Sequence, residues 1–176
     1  MTEEAVKTLL LHIGQDINRE GLIDTPKRYV KFLTEFTNPP KFNFTVFENE
    51  GKGDIVIVKN IPFYSLCEHH LAPFFGTASI GYIPDKKIVG LSKIPRALDS
   101  ICRQPQNQER ITKDLANLLN EKLSPIGVAV VLKARHMCME MRGVQKSGCE
   151  TITSSMTGVF KDDFNARQEF LKLIEL

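Results

Sequence analysis

No stretch of this chain approaches the ~20 consecutive apolar residues that a membrane-spanning helix needs, which excludes a helical membrane anchor within it. Neither sign of charge dominates. Lys and Arg number 23 and Asp and Glu 21, for a net charge of +2, too even for a nucleic-acid-binding chain, which normally shows a strongly basic face. The opening Met1-Thr2-Glu3-Glu4 is acidic and has no secretory pattern, so the thiols are expected in a reducing cytoplasm. There is no internal repeat, low-complexity tract or linker. With 176 residues, 42% hydrophobic and 25% charged, the chain reads as one soluble domain with a single core. Cysteine and histidine are scarce, four of each, and no Cys-x-x-Cys occurs. That last absence argues against a zinc deaminase, which needs His-x-Glu with a later Pro-Cys-x-x-Cys.

What is present is strong apolar periodicity. Val6, Leu9, Leu10, Ile13 and Ile17 recur at helical spacing up to a stop at Gly21. Thr25-Pro26 reads as an N-cap with proline in the first turn, and Asn38-Pro39-Pro40 ends that second helix. Phe42, Phe44 and Val46 alternate as in a strand, and Ile55 to Val58 is a short β-prone run. A strand from Gly76 to Ile83 turns at Pro84-Asp85 and returns through Ile88-Val89. Ser92 and Asn107 each cap a helix, Val128 to Leu132 is a buried strand, and Thr151 to Phe160 is another. A last helix begins near Asp162 or Asp163 and buries Phe170, Leu171 and Ile174. Runs of helices and runs of strands argue for an α+β fold with an antiparallel sheet.

The scarce residues are clustered. Cys67-Glu68-His69-His70 and His136-Met137-Cys138 hold three of the histidines, each within three residues of a cysteine. Thiolate with imidazole is the ligand set of tetrahedral zinc. A Cys-x-x-His turn aims both side chains at one ion, and on a strand His136 and Cys138 would share a face. Two geometries are open: a closed Cys₂His₂ staple, or three ligands with water in the fourth place and spare histidines beside it. Zinc lowers the pKa of such a water to about 7, and an imidazole titrates in the range needed to shuttle protons. A chain with this much apolar patterning does not need a metal to fold, which favours the open site. Cys102 and Cys149 have no ligand cluster beside them and read as free thiols.

Cations stand nearby. Lys93 and Arg96 share the first turn of the helix after Ser92, where the unpaired N–H groups already favour an anion. Arg142 follows Cys138 by four residues. Glu109 suits the start of its helix electrostatically, and its carboxylate also suits a guanine-like N–H/NH₂ edge.

These stretches together, Ser65-Leu66-Cys67-Glu68-His69-His70 with Pro73, Gly90-Leu91-Ser92-Lys93, Pro105 to Arg110, and His136-Met137-Cys138-Met139 with Met141-Arg142-Gly143-Val144, strongly resemble GTP cyclohydrolase I from about Gly21 to Leu173. The resemblance implies a zinc-dependent hydrolase of the pterin, folate-type or deazaguanine routes. It would open the imidazole ring of GTP, release C8 as formate and form 7,8-dihydroneopterin triphosphate. It implies one Zn²⁺ per subunit on Cys67, His70 and Cys138, with water in the fourth place. His136 would protonate the purine N7 and His69 would be a second proton shuttle. Ser92 would act near the ribose, Gln108 would contact ribose or purine, and Glu109 would grip the guanine edge. Lys93, Arg96, Arg142 and Arg28 would bind the triphosphate. The implied fold is the tunnelling fold: an antiparallel sheet with a helix pair on one face and N-terminal helices, assembled into a toroidal homodecamer of two pentamers. The domain implied is single, 1–176, with a helical segment 1–40 and a catalytic core 41–176. The segment before Gly21 is short, so a regulatory partner protein is not expected. Two other readings compete: a nitrile reductase of the same fold, opposed by the paired zinc motifs, and a zinc-stapled interaction module without activity.

Overall fold

The computed structural model describes residues 2–51 and 53–175. The chain forms two compact units, Met1–Pro40 and Lys41–Leu176. In the first, α1 (Glu3–His12) is capped by the Thr2 hydroxyl, which accepts from the Ala5 N–H, and it buries Val6 and Leu10. This helix is shorter than the periodicity suggests. Gly14 at φ +77° turns the chain out of it, so Ile17 belongs to the following turn. A 3₁₀ turn at Glu20–Leu22 leads to α2 (Thr25–Thr37), against which α1 packs. The N-cap of α2 is Asp24 rather than Thr25, and Pro26 falls in the first turn.

In the second unit, β1 (Val46–Glu48) pairs with β4 (Lys87–Val89), antiparallel. The return through Ile88-Val89 therefore does not form the hairpin that the turn at Pro84-Asp85 suggested. Phe42 and Phe44 pack on the core without forming a strand. The main sheet has five strands in the order β5-β2-β3-β6-β7. They are β2 (Val56–Cys67), β3 (Pro73–Ile83), β5 (Pro105–Gln106), β6 (Gly127–His136) and β7 (Thr151–Gly158). All pairings are antiparallel except the two-residue β2–β5 contact.

Both faces of this sheet are covered. On one lie α3 (Lys93–Cys102) and α4 (Gln108–Leu123), whose Ile94, Leu98, Ile111, Leu115 and Leu119 meet Phe63, Phe74, Ile80, Val130 and Leu132. On the other, α6 (Val159–Asp162) and α7 (Phe164–Ile174) place Phe160, Phe170 and Ile174 against Ala129 and Val131. Burial on both faces explains why β6 is apolar at successive positions rather than alternating. The α+β class is therefore as the sequence implied, with the C-terminal helices adding a third layer.

One irregularity decides where the chemistry goes. The β2–β3 register shifts between Val58 and Ile61, with Asn60 at φ +59°. Before this bulge Val56 and Val58 face α3 and α4; after it Ile61, Phe63 and Cys67 do. An extra residue in one strand inverts which side chains face which side. Without it Cys67 would point toward the opposite face.

Candidate metal centre

β2 ends at Cys67 in a tight turn. Its carbonyl accepts from the N–H of Leu71 at 2.7 Å and of His70 at 3.2 Å, and its own N–H donates to Ala72 O. This folds His70 back over the strand end. From the other side β6 ends at His136, opposite Phe74. The chain then coils into α5 (Met137–Glu140), so Cys138 sits on a single helical turn and not two residues along a strand. The group nonetheless closes: one donor atom each from Cys67, His70 and Cys138 lie within 4.8 Å of one another.

The donor set fits zinc. Bond lengths of about 2.3 Å to sulfur and 2.0–2.1 Å to nitrogen put tetrahedral ligand edges at roughly 3.5–3.8 Å, and the Cys67 Sγ to His70 Nδ1 distance is 3.7 Å. Burial pushes the Cys138 thiol up, and the adjacent Cys67 sulfur pushes it further. A divalent cation beside the Cys138 sulfur would reverse that shift. Among the described residues no fourth side chain joins the group.

Around it stand the remaining candidates. His69 is exposed, with Nδ1 at 3.8 Å from Cys67 Sγ and Nε2 at 3.9 Å from Glu68 Oε1. Arg142 Nη1 lies 3.1 Å from His70 Nε2. The His136 ring stacks on Phe74, centroids 4.6 Å apart and 5° from parallel. Burial pushes His136 below the usual imidazole range, and the Glu109 carboxylate pushes back. Gln108 is almost wholly buried and its Oε1 lies 2.8 Å from His136 Nε2. Glu109 is exposed and lines a groove of ≈ 490 Å³ between α4 and β7, with Thr112, Lys113, Thr153 and Ser155.

The remaining candidates come from other elements. Ser92, Lys93 and Arg96 share the start of α3, where Ser92 is the N-cap but makes no side-chain cap bond. Arg28 lies in the N-terminal unit, paired with Asp24 at 3.1 Å.

Sequence reasoning missed two contributors. Phe74, the base of the His136 stack, carries no charge or ligand atom that would single it out in the sequence. Glu68 is tied to the start of α4: Arg110 donates to both its oxygens at 2.7 and 3.2 Å, and the Asn107 amide donates at 2.8 Å. These bonds, the Arg110 pair first, hold the Glu68 carboxyl below the usual carboxylate range. Both partners sit inside quoted motifs, but a pairing across 42 residues leaves no mark in a single sequence.

A model of the family described as GTP cyclohydrolase I matches residues 2–175. The GTP cyclohydrolase 1 of Geobacillus kaustophilus (strain HTA426) is 51% identical, over 98% of this chain and 95% of that protein. That of Bacillus subtilis (strain 168) is 49% identical, over 98% and 94%. That of Saccharomyces cerevisiae is 50% identical, over 97% of this chain and 72% of the yeast protein.

Proposed function

The chain belongs to the GTP cyclohydrolase I family and is a hydrolase that converts GTP to 7,8-dihydroneopterin triphosphate; we propose that it does so at the Cys67–His70–Cys138 group. The observation that carries this reading is the convergence of two sulfurs and one imidazole from two separate strand ends, with no fourth side chain among the described residues. Zinc held by these three residues would supply an activated water at neutral pH, by lowering its pKa to about 7.

The chain's own residues supply the rest. Protonation of the purine N7 makes C8 electrophilic. His136 gives that proton as an imidazolium, from a ring held against Phe74, and the Glu109 carboxylate favours that charged form against the effect of burial. The Glu109 carboxylate accepts from the guanine N–H and NH₂ in the groove beside α4. His69 moves protons during ring opening, its exposed imidazole lying beside the Cys67 sulfur, and Ser92 serves the ribose rearrangement. Lys93 and Arg96, at the start of α3, bind the triphosphate with Arg142. A His70 that coordinates through Nδ1 keeps its proton on Nε2 and cannot accept from Arg142. With His70 held as a ligand, that guanidinium would be left to an anionic acceptor.

The same reading takes the fold as the tunnelling fold, with residues 1–40 as a helical segment and 41–176 as the catalytic core. It takes the assembly as a decamer of two pentamers. Support comes from β7, which ends the main sheet and exposes Ile152, an edge that a neighbouring copy can cover. A cytoplasmic location agrees with four free cysteines. The deciding measurement is formate release from GTP by the purified protein, before chelation, after it, and after zinc is returned. Release that stops and then recovers supports the reading; formate release unaffected by complete removal of the metal overturns it.

A further inference from the structure

The Gln108 side chain resembled a substrate contact in the sequence, but it is 1% exposed. Its hydrogen-bonding capacity is spent inside the protein. The two N–H of the amide nitrogen are shared among three acceptors, Leu132 O at 3.2 Å, Thr151 O at 3.0 Å and Thr153 Oγ1 at 3.1 Å. Two of these acceptors are main-chain carbonyls, which have no hydrogen to give. The NH₂ must therefore face them, because the flipped amide would set oxygen against oxygen. Oε1 is left facing His136 Nε2 at 2.8 Å, and an amide oxygen only accepts. Nε2 must then carry a hydrogen, and Nδ1 is the nitrogen left to exchange protons.

The frame around this contact is rigid. Thr153 Oγ1 is 2.6 Å from Thr112 Oγ1, and the Thr112 hydroxyl donates to Gln108 O in the same helix. Phe74 fixes the plane of the imidazole. We propose that Gln108 is a positioning residue: it locks His136 in the Nε2–H form and presents Nδ1 as the working nitrogen, without touching the substrate. This rests on the reading of His136 as the proton donor to the purine.

The zinc-loaded wild-type protein, labelled with ¹⁵N-histidine, tests the lock directly. There are four histidines, and His136→Gln identifies the lines of interest. Under conditions where the ring is neutral, His136 is expected in one form only, protonated at Nε2 and bare at Nδ1. A bare Nε2, or a mixture of the two forms, overturns the proposal. Because this measurement needs neither turnover nor a Gln108 variant, it stands even if the GTP reading fails or the variant does not fold. Gln108→Met keeps the length and removes the oxygen. It should give mixed forms of His136, and lower kcat on the order of 10²-fold with the KM for GTP little changed. A KM that rises while kcat holds would make Gln108 a substrate contact and overturn the proposal. So would a variant with both its ¹⁵N lines and its kcat unaltered.

Discussion

His136 is the residue on which the proposed chemistry turns, and its neighbours separate two roles for it. It lies two residues from a metal ligand, yet Cys67, His70 and Cys138 form the donor group without it, and its Nε2 is engaged by Gln108. His136→Ala is therefore expected to retain zinc at wild-type stoichiometry while formate release falls by at least ~10²-fold. Metal analysis of the purified variant checks the first half; a variant that comes off the column without zinc would make His136 a ligand. The substitution also leaves the buried Gln108 oxygen without its donor, so a stability loss of about 1–3 kcal/mol should accompany it. At this scale the cysteine–histidine cluster was legible because scarce residue types coincided at ligand spacing, while the choice of three donors within it came from the resemblance. The position of Gln108 was not legible. Its place at the start of α4 was readable, but the two carbonyls that orient its amide come from β6 and β7, and only the folded sheet brings them there.

Elements carry these residues to one place through specific irregularities. The bulge at Asn60 sets the face of Cys67, and the end of β6 at His136 lets Cys138 swing in on a helical turn. Sequence pattern marked the start of β2 at Ile55 to Val58 but neither its continuation to Cys67 nor the bulge, because the polar Lys59-Asn60 interrupts the apolar run there. It also joined β4 to β3, because a Pro-Asp turn between two apolar runs is the ordinary mark of a hairpin; the partner of β4 is instead β1, about 40 residues earlier in the chain. Where local chemistry dominates, the reading agreed: Asn107 accepts from the Arg110 N–H and caps α4, and Asp163 accepts from Asn165 N–H and caps α7. The β3–β6 ladder depends on Gly76. A Cβ there would collide with Lys133 O and meet Ala134 Cα at 2.7 Å, both main-chain atoms that cannot step aside. Gly76→Ala should destabilise by on the order of 3 kcal/mol in urea titrations; a wild-type midpoint would show that the two strands have slack. The Glu68–Arg110 pair fastens the ligand turn to α4. Arg110→Ala should speed zinc release to a competing chelator and raise the KM for GTP, since the turn and Glu109 lose their common anchor. Release at the wild-type rate would leave the pair as surface decoration.

For the molecule as a whole, the question is whether the metal holds the fold or only serves it. The apolar interior answers from its position. Phe74, Ile80, Ile94, Leu98, Ile111, Leu115, Leu119, Val130 and Leu132 are all closed to solvent on the α3–α4 side, and Phe160 and Phe170 on the other. The ligand group occupies the end of the sheet where β2 and β6 stop. Its removal exposes two thiols and one imidazole but withdraws no layer from the core. A metal that binds only the folded state still adds stability by mass action, so chelation should lower Tm by an amount that depends on free zinc concentration. The unfolding transition should stay cooperative and the far-UV circular dichroism spectrum nearly unchanged, while formate release stops. Dialysis against a chelator, with circular dichroism and thermal melts recorded before and after zinc is returned, makes the test. Loss of the β-sheet signal on chelation would place zinc among the supports of the fold, as in small domains that are unfolded without their metal, and would leave the open coordination position without its strongest argument.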